Sequence, residues 1–146
     1  MFFIVLITLA TVLTSVTVSA ENSKSENGYE VHYNAFSSDF LTKEVAKNYQ
    51  IGRSKTKGII NIAVLKQQEI GVPKSVKAKI NLKAQNFYGQ NKSVDLRMIS
   101  ENDGAIYYIG TFSVSSQETI NFKASVLPDG SETPIEIKFS QEFFTN

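Results

Sequence analysis

The chain has 146 residues, a formal net charge of +1, one histidine, and neither cysteine nor tryptophan. Without cysteine there are no disulfides, thiol nucleophiles, thiolate metal sites or iron–sulfur clusters. A hydrophobic content of 42% is too high for a disordered chain, so stability has to come from packing.

Met1 to Ala20 carries no charged side chain, and Val18-Ser19-Ala20 stands just before Glu21. An apolar run closed by a small-x-small site predicts a secretory signal peptide cut after Ala20. The alternative is an uncleaved membrane anchor, because about 20 apolar residues span a bilayer. Thr14, Ser15, Thr17 and Ser19 dilute the second half of that run. Residues 21–28 are polar and read as a flexible leader. Residues 29–146 read as one domain.

From Tyr29 the chain alternates. Tyr29, Val31, Tyr33 and Ala35 take one face, and Glu30, His32 and Asn34 the other, which predicts a strand. Ser37-Ser38-Asp39 ends it. Leu41, Val45 and Tyr49 are four apart, so they stack on one side of a short helix, with Thr42 as its cap and Gly52 as its stop. About two turns cannot stand alone, so the helix must lean on the sheet. Residues 53–58 read as a basic loop. Ile59 to Leu65 is apolar on nearly both faces, as a central strand would be. Val76 to Ala84 alternates cleanly and puts Lys77, Lys79 and Lys83 on its wet face.

Strands follow around Val94–Met98, Ala105–Phe112, Ile120–Val126 and Ile135–Phe143, with turns at Asn102-Asp103-Gly104 and Pro128-Asp129-Gly130. Asp-Gly suggests a type I′ hairpin. About seven strands and one short helix predict an all-β fold: an antiparallel two-sheet sandwich of immunoglobulin-like type, with a small closed barrel as the alternative.

The charges are segregated. Residues 43–92 hold eleven Lys or Arg against Glu44 and Glu69, and residues 93–146 hold three against eight acids. The simpler expectation is that the two halves lie side by side and pair their charges across the sheet. The sharper one is a positive face that meets an anionic partner.

No residue set spells out a reaction, and no catalytic, metal or cofactor site is expected. His32 is the lone imidazole; a hydrolase centred on it is the weakest reading, and an edge histidine paired with a neighbour explains it more simply. One histidine and scattered acids do not make a zinc site. Glu101, Asn102 and Asp103 could offer oxygen to calcium, but a hairpin already accounts for them. The loop from Gly52 to Gly58 lacks the Gly-Lys-Ser/Thr order of a phosphate loop, although Arg53 and Lys55 could still hold an anion. Lys77, Lys79 and Lys83 could follow an anionic lipid surface or polymer, or could simply guard a strand edge. Phe87 and Tyr88, in a loop, are candidate recognition aromatics.

Tyr29-Glu30-Val31-His32-Tyr33-Asn34-Ala35-Phe36, then Phe40-Leu41, Val45-Ala46, Tyr49 and Arg53-Ser54-Lys55, resemble the start of a small secreted family of gamma-proteobacteria, domain of unknown function 4426. Asp103-Gly104-Ala105-Ile106-Tyr107-Tyr108 and Phe139-Ser140-Gln141-Glu142-Phe143-Phe144 continue the resemblance. It implies a periplasmic β-sandwich with no established activity. The expectation is therefore a non-catalytic periplasmic module that binds an envelope protein or peptide, with an anionic-envelope binder as the alternative. The membrane surface is a conceivable partner, and nucleic acid is not.

Overall fold

The computed structural model describes residues 22–146. The expected signal peptide and its cleavage site lie outside them. Ten strands and one helix follow in chain order: β1 (Asn22–Glu26), β2 (Tyr29–Ser37), a 3-10 turn (Ser38–Phe40), α1 (Lys43–Asn48), β3 (Lys57–Lys66), β4 (Lys74–Ser75), β5 (Ala78–Asn86), β6 (Asn91–Lys92), β7 (Arg97–Ser100), β8 (Ile106–Ser113), β9 (Glu118–Pro128) and β10 (Ile135–Phe143). Seven of these overlap the expected strands, although β7 begins only at Arg97 where the sequence predicts a strand from Val94, and its Met98 is exposed; β1, β4 and β6 are additional.

The strands form two antiparallel sheets. Sheet A runs β1-β2-β3-β8-β7, with β4 also on β3, and sheet B runs β10-β9-β5-β6. Set β1, β4 and β6 aside, and β2-β3-β8-β7 faces β5-β9-β10. That is the ABED/CFG order of a constant-type immunoglobulin domain. The inner faces bury Val31, Ile60, Ile62 and Val64 from sheet A against Phe122, Val126, Ile135 and Ile137 from sheet B. In place of a Trp–disulfide pin, rings fill the centre. Phe122 stacks on Phe139 at 4.8 Å, and Phe112 meets Phe122 and Phe143 edge-on at 5.4 and 5.5 Å. Such ring pairs add to the burial term.

The leader expected at 21–28 is instead a paired strand from Asn22 onward. β1 runs antiparallel to β2, from Glu26 opposite Tyr29 to Asn22 opposite Tyr33. Asn27 and Gly28 have φ of 54° and 80°, the two left-handed residues of a type I′ turn. The expected type I′ turn at Asp103-Gly104 has a different form. Glu101 N–H bonds Ala105 O, Gly104 N–H bonds Glu101 O, and only Gly104 has positive φ. That is a three-residue hairpin ending in a glycine bulge.

α1 caps as expected: the Thr42 hydroxyl accepts Val45 N–H at 3.2 Å. It does not stop at Gly52. Gln50 takes the left-handed conformation at φ 55°, Gln50 N–H bonds Lys47 O, and Ile51 N–H bonds Ala46 O. This is a Schellman motif with glutamine in the usual glycine place. The motif turns Ile51 back onto sheet A, where Ile51, Ile59 and Ile109 form a second small core with Leu41, Tyr49 and Tyr107 packed on it. That cover explains why β3 is apolar on both faces: Ile59 packs under α1, and Ile60 packs against sheet B.

Candidate functional site

The two sheets meet along a seam between β2 and β10. At one end Lys24 Nζ donates to Glu136 O at 2.8 Å, and Tyr33 packs on Phe139 at 4.8 Å. At the other end the seam opens into a cleft of about 700 Å³. Asn34 to Ser37 of β2 form one wall and Gln141 to Phe143 of β10 the other, with Asp39, Phe40, Lys55 and Phe144 around the mouth.

The register explains why this wall is open. β1 covers β2 only as far as Tyr33, while β3 pairs with β2 through Ser37. Among the described residues, no strand lies on the outer edge of residues 34–37. A two-residue turn makes Glu26 and Tyr29 a mutually hydrogen-bonded pair, and the pattern then alternates. Tyr29, Val31 and Tyr33 point their main-chain groups at β1. By the same alternation Ala35 and Ser37, both largely buried, point theirs away from β3, on the cleft's side of the strand. β10 is the edge strand of sheet B, so both walls are strand edges.

Asn34 Oδ1 and Asp39 Oδ1 are out of contact with solvent and have no hydrogen-bond partner. Phe40 and Phe144 stand exposed at 80% and 57%. The loop behind the mouth is fixed from below. Ser54 N–H donates to Ser38 Oγ at 2.8 Å, the Ser38 hydroxyl lies 3.0 Å from both Gly52 O and Ser54 O, and Ser37 Oγ donates to Lys55 O at 3.3 Å. Arg53 Nη2 donates to Asp39 O at 3.0 Å, so Arg53 braces the loop and Lys55 is the member of that pair that reaches the cleft.

A second, smaller cavity of about 120 Å³ sits under α1 between Phe36, Leu41, Tyr49, Ile51, Ile59, Asn61, Tyr107 and Ile109. Its wall is pinned by the Tyr49 hydroxyl, which donates to Glu101 Oε1, and by Arg97 Nη2, which donates to Tyr49 O. The bond to Glu101 comes first among the causes that push the Tyr49 phenol from 10.0 up to about 12; partial burial and the Glu101 charge follow.

The remaining sequence candidates are scattered. His32 lies on the outer face of sheet A with Nε2 3.0 Å from Glu30 Oε1, and Ser23 of β1 stands opposite it. Neither cleft is lined by His32. Phe87 and Tyr88 are exposed in the β5–β6 loop and touch each other edge-on at 5.9 Å. Asn86 shapes that loop by accepting Tyr88 N–H and Gln90 N–H. They sit at the cleft's end of sheet B, but β9 separates them from β10. Lys77 precedes β5, and its carbonyl accepts Asp129 N–H. Lys79 and Lys83 project from the outer face of sheet B. No group of three His, Asp or Glu side chains among the described residues could hold a metal ion. No helix among them is long and apolar enough to cross a membrane.

The sequence did not single out Asn34, Asp39, Phe40, Gln141 or Phe144 as neighbours. The one available signal was Phe143-Phe144, where one ring of an adjacent pair has to face out. The buried Phe143 and exposed Phe144 show that division.

Fold and site together define a constant-type immunoglobulin-like sandwich with an added N-terminal edge strand and an open seam between its first and last long strands. The chain belongs to the family described as domain of unknown function (DUF4426), whose model matches residues 23–146. The crystal structure of a DUF4426 family protein from Pseudomonas aeruginosa PAO1 is 31% identical, with a TM-score of 0.72 over 88% of this chain and 98% of that one. The yeast GGA1 GAE domain is similar at 10% identity and a TM-score of 0.40, covering 85% of this chain and 99% of that one. No curated protein matches the chain.

Proposed function

We propose that this is an exported, non-catalytic module that holds an extended peptide segment of an envelope protein by strand addition to β2. The edge of Ala35 and Ser37, unpaired by any strand among the described residues, is the observation that carries the reading. An extended chain laid there has N–H and C=O partners on one side, and pockets for alternate side chains on the other. Phe40 and Phe144 would close over it. The main-chain bonds from two residues are worth about 2–6 kcal/mol together, and each ring about 1.5–3 kcal/mol if fully covered. After the cost of association, affinity should be no tighter than micromolar. Export follows from the apolar N-terminal run of the sequence.

The test is selection of a displayed random-peptide library on the domain, followed by amide hydrogen exchange with a selected peptide. The expected result is new protection at Ala35 and Ser37, with affinity reduced by Phe40→Ala and by Lys55→Gln. Selection of no binder, or protection confined to other strands, overturns the reading. Protection of the same amides at high protein concentration without peptide would instead assign the edge to a second copy.

A further inference from the structure

The outer face of sheet B carries three lysines in one row. Lys83 of β5 is directly opposite Lys123 of β9, and Lys123 is directly opposite Lys138 of β10. All three are exposed. Adjacent strands lie about 4.8 Å apart, so the stems stand in a line about 10 Å long across the strands. Like charges directly opposite destabilise a sheet, yet among the described residues none of the three has an ion-pair partner; the pairs formed are Lys24–Glu26, His32–Glu30 and Lys92–Glu118. Guarding an edge explains Lys83, because β6 covers β5 only at Ala84 and Gln85. It does not explain Lys123, which sits mid-sheet with a strand on either side.

The two neighbouring rows carry no lysine, and one of them holds a carboxylate. Gln85, Asn121 and Ser140 form one, with Ser140 Oγ donating to Asn121 Oδ1. Asn81, Ser125 and Glu136 form the other, and there the carboxylate accepts from Ser125 Oγ at 2.9 Å. None of the exposed large hydrophobic residues belongs to β5, β9 or β10. The face is net cationic, with Lys79, Lys83, Lys123 and Lys138 against Glu136 and Glu142, it is rich in amides and hydroxyls, and it has nothing to insert into a bilayer.

We propose that this face binds an anionic polysaccharide laid across the strands, with Lys83, Lys123 and Lys138 on its acidic groups and the Gln85–Asn121–Ser140 row on its hydroxyls. The site is separate from the cleft and does not depend on the peptide reading. The experiment is affinity electrophoresis of the domain through gels containing polygalacturonate or neutral dextran, at low and high salt. Retardation is expected in polygalacturonate alone, and it should fade as salt rises. Lys123→Gln should weaken it about tenfold. The triple variant Lys83→Gln/Lys123→Gln/Lys138→Gln should abolish it without lowering the urea midpoint. Asn121→Ala should weaken it with no change in charge. A triple variant retarded like the parent overturns the proposal. So does equal loss in Lys43→Gln/Lys47→Gln, which removes charge from α1, or capture by phosphatidylglycerol vesicles in a protein that ignores the polymer.

Discussion

At Gly58 the side chain is absent because Phe112 occupies its place. The residue is buried on β3 directly opposite Phe112, and a Cβ there would lie 2.3 Å from a ring carbon. That ring is wedged against Phe122 and Phe143, so it has little room to yield. Gly58→Ala should therefore cost about 1–3 kcal/mol, read as a lower urea midpoint at unchanged m-value. Tyr49 gives a pH signature. Its phenol is held protonated up to about 12 in the folded protein against about 10 unfolded. The native state thus binds this proton more tightly. The associated stability is fully present below pH 10 and is lost as pH rises from 10 to 12. Urea denaturation across that window should show the decline, and Tyr49→Phe should flatten it.

Elements here are set by their neighbours as much as by their own residues. α1 is short and survives because Leu41, Tyr49 and Ile51 pack onto sheet A, which also accounts for the doubly apolar β3. β1 is fully exposed along its length, and it holds its place through the ladder to β2 and the Asn27-Gly28 turn. Replacing both turn residues by alanine forces L-side chains into the left-handed region, at about 1–2 kcal/mol each. The expected outcome for that double variant is selective loss of amide protection over Asn22–Glu26 and Tyr29–Tyr33, while β9 and β10 stay protected. A tendency to dimerise should accompany it, because the whole outer edge of β2 is then uncovered.

Across the molecule, the segregation of charge in the sequence takes an unexpected form. β5 from the basic half does lie beside β9 from the acidic half, but lysine meets lysine across them. Lys92–Glu118 is an ion pair that does join the two halves. The expected general cancellation across the sheet is therefore corrected: pairing depends on register, and composition carries no register. The same holds for the cleft. Its walls are the ends of β2 and β10, about 100 residues apart in the chain, brought together only because the first and last long strands of this topology sit on the same side of the sandwich.

What the amino-acid order settled on its own is what local periodicity governs: the main strands apart from the start of β7, the capped helix, the doubly buried β3, and the division of Phe143-Phe144 into an inner and an outer ring. Alternation and capping act over a few residues, so they leave a direct imprint on the string. Folding in three dimensions decided which edge stays bare, which lysines line up, and that a polar stretch before Tyr29 pairs as a strand. Those outcomes depend on contacts between segments remote in the chain, where a shift of one residue would send every side chain to the opposite face.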